Sequence, residues 1–167
     1  MKLSRVTFLL FSGIFLTTNA IAHTSVPEKM YAKEYYENGT LKAEGWALGN
    51  KKIKFWIFYH NNGAVASKGN YKNNKKDGYW YYYNTQNKLI KEGHYINGSA
   101  ENWWIFYDIA NQKKAKYQFK DNQKNGFALQ YNKQKLMRAE KYENDEKVGE
   151  WTSVWAFKRD NPDVSLK

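Results

Sequence analysis

One number organises this sequence. Trp56, Trp80 and Trp104 follow one another at a step of 24, and Ala128 and Trp151 extend the series by steps of 24 and 23. Tyr35, Tyr59, Tyr83, Tyr107 and Tyr131 keep the step of 24 throughout, and Tyr71, Tyr95, Phe119 and Tyr142 follow at 24, 24 and 23. Gly78, Asn102, Gly126 and Gly149 each sit two positions before their Trp or Ala. A fixed period of this length marks a chain made of stacked copies of one small unit that cannot bury its apolar face alone.

The chemistry inside one copy says what the unit is. Gly78-Tyr79-Trp80-Tyr81-Tyr82-Tyr83 and Leu89-Ile90-Lys91-Glu92-Gly93-His94-Tyr95 are short runs of aromatic and branched residues. Asn, Asp, Gly and Lys bound them, which is strand composition between turns. Asn38-Gly39, Asn62-Gly63, Asn97-Gly98, Asn125-Gly126 and Asp77-Gly78 punctuate the chain, and such pairs supply the positive φ that tight hairpin turns need. These breakers leave no room for a helix of ten residues. The sequence thus predicts an all-β fold, an elongated stack of antiparallel β-hairpins with about five 24-residue units over residues 31–157. At about 4.8 Å per strand, ten or so strands make a ribbon roughly 50 Å long. The Trp column and the Tyr column are expected to be its structural spines, with one sheet face well buried and the other partly exposed.

A charged column accompanies them. Glu44, Lys68, Glu92, Lys116 and Glu140 recur at the same step with alternating sign, so stacked units are expected to place opposite charges on successive rungs. Residues 23–30 contain Pro27 and read as a flexible lead-in. Beyond Trp151 the period dissolves, and Trp155 and Phe157 are expected to belong to a final covering strand, followed by a polar tail at 158–167.

The segment 1–22 has a different character. Lys2 and Arg5 precede an apolar run from Val6 to about Thr18, then Ala20-Ile21-Ala22, the order of a secretory signal peptide cleaved after Ala22. The run is shorter than the roughly 20 residues that span a bilayer, so no transmembrane segment is expected after cleavage. The expected address is periplasmic or secreted. Cleavage removes two of the 27 basic residues and none of the 16 acids, lowering the formal charge from +11 to +9. Outside the cytoplasm, nucleic acid is not an expected partner, whereas anionic lipid, glycan and acidic protein are.

Catalytic chemistry finds few residues to use. There is no cysteine, and the only histidines are His23, His60 and His94, none paired at metal-ligand spacing. His23 at a new amino terminus offers a nitrogen donor set for copper, and a solvated end residue is the simpler reading. Glu44, Glu92 and Glu140 sit two units apart, about 20 Å in a regular stack, too far for a carboxylate pair. The turn carboxylates Asp77, Asp121 and Asp145 are explained by bonding to their own backbone. No cofactor is expected. Asn38-Gly39-Thr40 and Asn97-Gly98-Ser99 match glycosylation sequons but read as turns. Binding is what remains. Lys51 and Lys52 recur one period later as Lys75 and Lys76, and Lys124 and Lys147 fall in the corresponding turns, so a basic edge is expected. Tyr81, Tyr82 and Trp103 are candidates for an aromatic platform beside it. Edge lysines also serve to block strand addition.

Gly-Tyr-Trp-Tyr-Tyr-Tyr-Asn at 78–84, followed by Lys-Glu-Gly-His-Tyr-Ile-Asn-Gly at 91–98, resembles the MORN repeat, in particular its bacterial variant. That variant is often labelled the antitoxin component of a YwqK-like toxin-antitoxin system. Residues 55–63 and 149–151 are similar pieces, and Ala128 departs from the pattern by replacing Trp. The resemblance implies a stack of hairpins used for protein contacts, with anionic lipid proposed as a ligand for some members and no catalytic motif to carry over. The antitoxin label fits poorly with an export signal. The resulting expectation is an exported, non-enzymatic protein-binding or scaffold module. The second reading is association with anionic membrane lipid or envelope polysaccharide, and the third a small envelope hydrolase.

Overall fold

The computed structural model describes residues 26–164. The segment 1–22 read as a signal peptide, the cleavage expected after Ala22, and His23 lie outside the described residues. Eleven strands form one open antiparallel sheet in simple chain order: β1 (Lys29–Tyr35), β2 (Leu41–Leu48), β3 (Lys51–Tyr59), β4 (Val65–Lys72), β5 (Lys75–Tyr83), β6 (Leu89–Ile96), β7 (Ser99–Asp108), β8 (Lys113–Lys120), β9 (Gln123–Asn132), β10 (Lys135–Glu143) and β11 (Glu146–Trp151). A short helix α1 (Val154–Asp160) follows. The consecutive hairpins expected from the period are present. Strand β1 begins inside the segment read as a lead-in, at Lys29. Among the described residues no helix is long and apolar enough to cross a membrane.

The hairpin turns divide into two kinds. Even-to-odd connections are two-residue turns such as Asn73-Asn74, Asn97-Gly98 and Asp121-Asn122, with φ between 51° and 93° at both positions. These turns are stapled to one another: Asn74, Asn122 and Asp145 accept from the amides of Lys52, Ala100 and Lys124 through their side chains at 2.6–2.8 Å. On the opposite rim the odd-to-even loops stack through Tyr36, whose hydroxyl donates to the Tyr59 carbonyl, and His60, whose Nε2 donates to that of Tyr83. His60 is thereby accounted for as a rim residue.

Asp77-Gly78 and Asn125-Gly126 are not turns, contrary to the sequence expectation. They lie within β5 and β9, and Gly78 and Gly126 fall in one column with Lys54 and Asn102, all at positive φ. Each marks a bulge just before the Trp position. In β3, Gly45 pairs with Trp56 and Trp46 with Ile53, so Lys54 and Phe55 are extra residues. A bulge bends its strand and frees backbone groups from the ladder. The indole recovers one of them: Trp56, Trp80 and Trp104 donate from Nε1 to the carbonyls of Trp46, Asn70 and His94 at 2.7, 3.0 and 3.2 Å.

Facing each indole is a glycine. Gly45, Gly69 and Gly93 lie against Trp56, Trp80 and Trp104, and a methyl group at any of them would stand 2.2–2.4 Å from the indole. The row thus alternates the smallest residue with the largest. With that room the three Trp rings are 1, 0 and 3% exposed although, among the described residues, no second layer covers this face of the sheet. Phe58, Tyr71, Tyr82, Tyr95, Phe106, Phe119 and Tyr117 link them ring to ring, with centroids 4.9–6.5 Å apart.

The row changes at its C-terminal end. Trp104 pairs with Tyr117, Tyr117 with Ala128, Ala128 with Glu140 and Glu140 with Glu150. Where Trp is lost at Ala128, glycine is lost opposite it at Tyr117. Glu140, 3% exposed, accepts from Gln130 Nε2 at 3.0 Å and Tyr142 Oη at 3.1 Å, and Arg138 and Lys147 lie within 3.8 Å. Trp151 does not continue the Trp row. The β11 bulge inserts one residue, Val148, where β3 inserts two, and a one-residue difference turns a strand residue to the other face. There Trp151 meets α1.

The expected final strand is that helix. Ser153 caps it by accepting from the Ala156 amide, Lys158 and Arg159 occupy its last turn, and Asn161 ends it. Trp155 and Phe157 would share a face in a strand; in the helix Phe157 is fully buried against Leu129 and Ala139 while Trp155 is 72% exposed. Lys158–Asp160, read as the start of the polar tail, complete α1.

Candidate binding surface

The sheet has two distinct faces. The tryptophan face carries the Trp–Gly row. The opposite, tyrosine face carries the Tyr35–Tyr131 column, the charged column as far as Lys116, and α1 at its C-terminal end.

The charged column does not form a ladder of ion pairs. Successive members are separated by an intervening strand, since Glu44 pairs with Ile57, Ile57 with Lys68, Lys68 with Tyr81 and Tyr81 with Glu92. Two strand spacings are about 9.6 Å, beyond ion-pair reach. The charges act on the tyrosines instead. Tyr59 and Tyr107 donate to Glu44 and Glu92 at 2.7 and 2.5 Å, and Lys68 sits 5.4 Å from the Tyr83 ring centroid. Burial, then the bond to Glu44, pushes Tyr59 up to about 12, and the same kinds of cause raise Tyr107. Glu140 leaves the column altogether and lies on the tryptophan face. The ion pair that Glu44 makes is with Lys33, at 3.8 Å.

The lysines expected to form one basic edge separate into two sets. Lys51 and Lys75 are exposed at the strand starts. Lys52, Lys76 and Lys124 fold over the tryptophan face, their long aliphatic stems covering rings while the ammonium groups sit above them. Lys52 Nζ is 3.7 Å from the Trp56 centroid and pairs with Glu34. Lys76 Nζ is 4.5 Å from Trp80 and donates to Tyr82 Oη at 2.7 Å. Lys124 Nζ lies 4.8 and 5.0 Å from Tyr117 and Tyr142. These lysines supply part of the cover that a second protein layer would otherwise provide.

The aromatic platform is likewise divided. Tyr82 is on the tryptophan face; Tyr81 and Trp103 are on the tyrosine face. Tyr81 packs 5.1 Å from Tyr79, and Trp103 leans on the Leu129–Ala139–Phe157 cluster with Lys116 above it at 5.4 Å. Two residues of the tryptophan face were not among the binding candidates read from sequence: Lys91, 4.5 Å from the Tyr82 ring, and Tyr95, known there only as a repeat position, whose hydroxyl shares a 3.0 Å hydrogen bond with that of Tyr82. A signal for Lys91 was present. It is the one charged residue in a repeat column otherwise of Ala43, Ser67, Ala115 and Ala139.

A cleft of about 330 Å³ lies between the β7–β8 and β9–β10 turns, with Tyr107, Ile109, Lys113 and Lys133 in its wall. Asp108 in that wall is held below the usual carboxylate range by hydrogen bonds from the Asn111 side chain and amide. Those bonds form the turn. Among the described residues, no group of three or more His, Asp or Glu stands close enough to hold a metal. No protein-family model matches this chain, and no curated protein matches its sequence.

Proposed function

We propose that this chain is an exported, non-enzymatic repeat protein that binds another protein through the broad faces of its sheet, in the manner its MORN-like sequence repeat implies. The observation that supports this most is the bare N-terminal half of the tyrosine face. Tyr31, Trp46, Phe55 and Tyr79 are exposed there, on β1, β2, β3 and β5 of one continuous sheet. Aromatic side chains gathered on a rigid surface are the residues that anchor protein interfaces, because they bury much area at little conformational cost. At the other end of the same face, Phe127 and Trp151 have a cover, Phe157 of α1. A partner on the bare half would do there what α1 does here.

A second reading, attraction to anionic lipid or envelope polysaccharide, keeps the exposed Lys51 and Lys75. Lys52, Lys76 and Lys124 leave that edge for the aromatic face. Two measurements separate the readings. Photo-crosslinkers placed at Tyr31 or Phe55 in the expressing cell should capture one discrete protein, whereas crosslinkers at Lys51 should not. Vesicles of phosphatidylglycerol should retain the purified chain only weakly, with loss above about 0.15 M salt as exposed charges are screened. Tight, partner-free retention on vesicles would decide for the second reading. Export itself predicts a mature chain beginning at His23, which intact-mass measurement reads directly.

A further inference from the structure

The charges on the tryptophan face are unevenly paired. At its N-terminal end, Lys52 is paired with Glu34. At its C-terminal end, Arg138 and Lys147 are paired with Glu140 and Glu150. In the middle, Lys76 and Lys91 both lie over the Tyr82 ring, at 5.0 and 4.5 Å from its centroid, and neither has a carboxylate partner among the described residues. Both are half-buried. Like charges brought together on a sheet oppose one another, and burial followed by the Lys91 charge holds the Lys76 ammonium below the usual lysine range.

The surroundings of the pair supply further hydrogen-bond donors. Lys76 gives one of its three protons to Tyr82 Oη, which leaves others free, and Lys91 reaches the same ring from the neighbouring strand β6. The Tyr82 and Tyr95 hydroxyls share one proton between their oxygens, so the second hydroxyl has a proton to offer outward. Next to Tyr95, the position that holds lysine in the other repeats is Ala100, which pairs with Tyr95 across β6 and β7 and carries no ammonium to lie over Trp104. The Lys91 ammonium stays 5.8 Å from Trp104, against 3.7 Å for Lys52 over Trp56. The middle of the face thus combines two unneutralised ammonium groups and phenol donors, beside a gap in the lysine cover.

We infer that Lys76, Lys91, Tyr82 and Tyr95 form a carboxylate-binding site, and that its occupant is an acidic segment of a partner protein. This rests on the protein-binding reading and names the chemistry of one contact. Charge complementarity selects the acid, since a carboxylate between the two ammonium groups turns their repulsion into attraction from both sides. A flat lipid surface suits it less, because the ammonium groups are drawn down onto rings and do not project from the rim as Lys51 and Lys75 do.

The test titrates the purified chain, carrying ¹³C-lysine, with hexaglutamate and reads the lysine Cε resonances. The Lys76 and Lys91 signals should move together while those of Lys51 and Lys75 stay still. Lys91→Gln should weaken hexaglutamate binding about tenfold, as expected for loss of one charge-assisted hydrogen bond, and Tyr95→Phe should weaken it less. Equal shifts over all exposed lysines, no shift at all, or unchanged affinity in Lys91→Gln would overturn the site. So would tighter binding of trigalacturonate or phosphatidylglycerol vesicles at the same two lysines. Crosslinking at Tyr31 reports on the other face, so loss of this site leaves the protein-binding reading standing, and loss of that crosslink leaves this site to be judged by its own shifts.

Discussion

The Trp–Gly repeats of β2–β7 and the terminal segment β8–α1 solve one problem in two ways. In the first, a single-layer sheet buries Trp56, Trp80 and Trp104 by seating each against a glycine, satisfying its N–H with a carbonyl freed by a bulge, and roofing the rings with lysine and tyrosine. In the second, the row is taken over by Tyr117, Ala128 and the buried Glu140, and the apolar core crosses to the opposite face, where Phe157 closes it. A hairpin stack can propagate without a second layer as long as each unit covers the next. After β11 the next element is not another hairpin but the short helix α1, which covers the last unit.

The comparison breaks most severely at its centre. Trp80→Ala should cost about 3–5 kcal/mol in urea denaturation, the range for an emptied aromatic site. Because units are coupled to neighbours, hydrogen exchange should rise in β4 and β6 before β10. At the terminal core, Phe157→Ala should cost about 3 kcal/mol, while Trp155→Ala on the same helix should fall within about 0.5 kcal/mol of wild type. Equal effects of the two would mean that α1 does not cap the sheet.

The exchange of Gly–Trp for Tyr117–Ala128 invites a double-mutant cycle. Tyr117→Gly and Ala128→Trp should each destabilise, by cavity and by overpacking, and the double variant should recover at least about 1 kcal/mol relative to their sum. Additivity would show that the two positions are not one size-matched pair. Glu140→Gln should cost about 1–2 kcal/mol, moderated because Arg138 and Lys147 can turn to solvent, and added salt should narrow the difference.

The smallest effect is alkaline. Burial raises Tyr71, Tyr82, Tyr117 and Tyr142, and in the tyrosine column Tyr59, Tyr107 and Tyr131. A phenol raised in the folded state stays protonated there after its unfolded counterpart ionises near pH 10, so stability is whole below that pH and falls as pH climbs toward 12. Lys76, held low, works in the opposite sense and lower on the scale, adding stability as pH rises toward the ordinary lysine value near 10.5. Absorbance at 295 nm should show only part of the tyrosines titrating reversibly near pH 10, with the rest ionising higher or on unfolding. Full titration of all fourteen near pH 10 would mean the rings are not covered.

Much of the scaffold could be read from the residues because a period of 24 is a local property repeated many times. The Trp column was legible as core, and so was the pairing of its units. The faces were not. Gly78 and Asn125-Gly126 carry the residue types of turns, but a positive φ also marks a bulge, and only the partner strand distinguishes the two. Each extra or missing bulge residue turns everything after it over, which is why Trp151 and Glu140 left the columns that their spacing assigned to them. Phe157 and Trp155 alternate as in a strand, and Ser153 with Asn161-Pro162 held the quieter signals of a short capped helix.

By itself, the order of residues determined that hairpins would form and stack, because propensity, turn chemistry and apolar period act over a few residues and agree in every unit. The sheet decided which lysines lie on rings and which in water, which carboxylate is buried, and that Lys76 and Lys91 meet over Tyr82 with no acid between them. Those outcomes depend on register across strands, and register is a relation between distant segments that no single repeat contains.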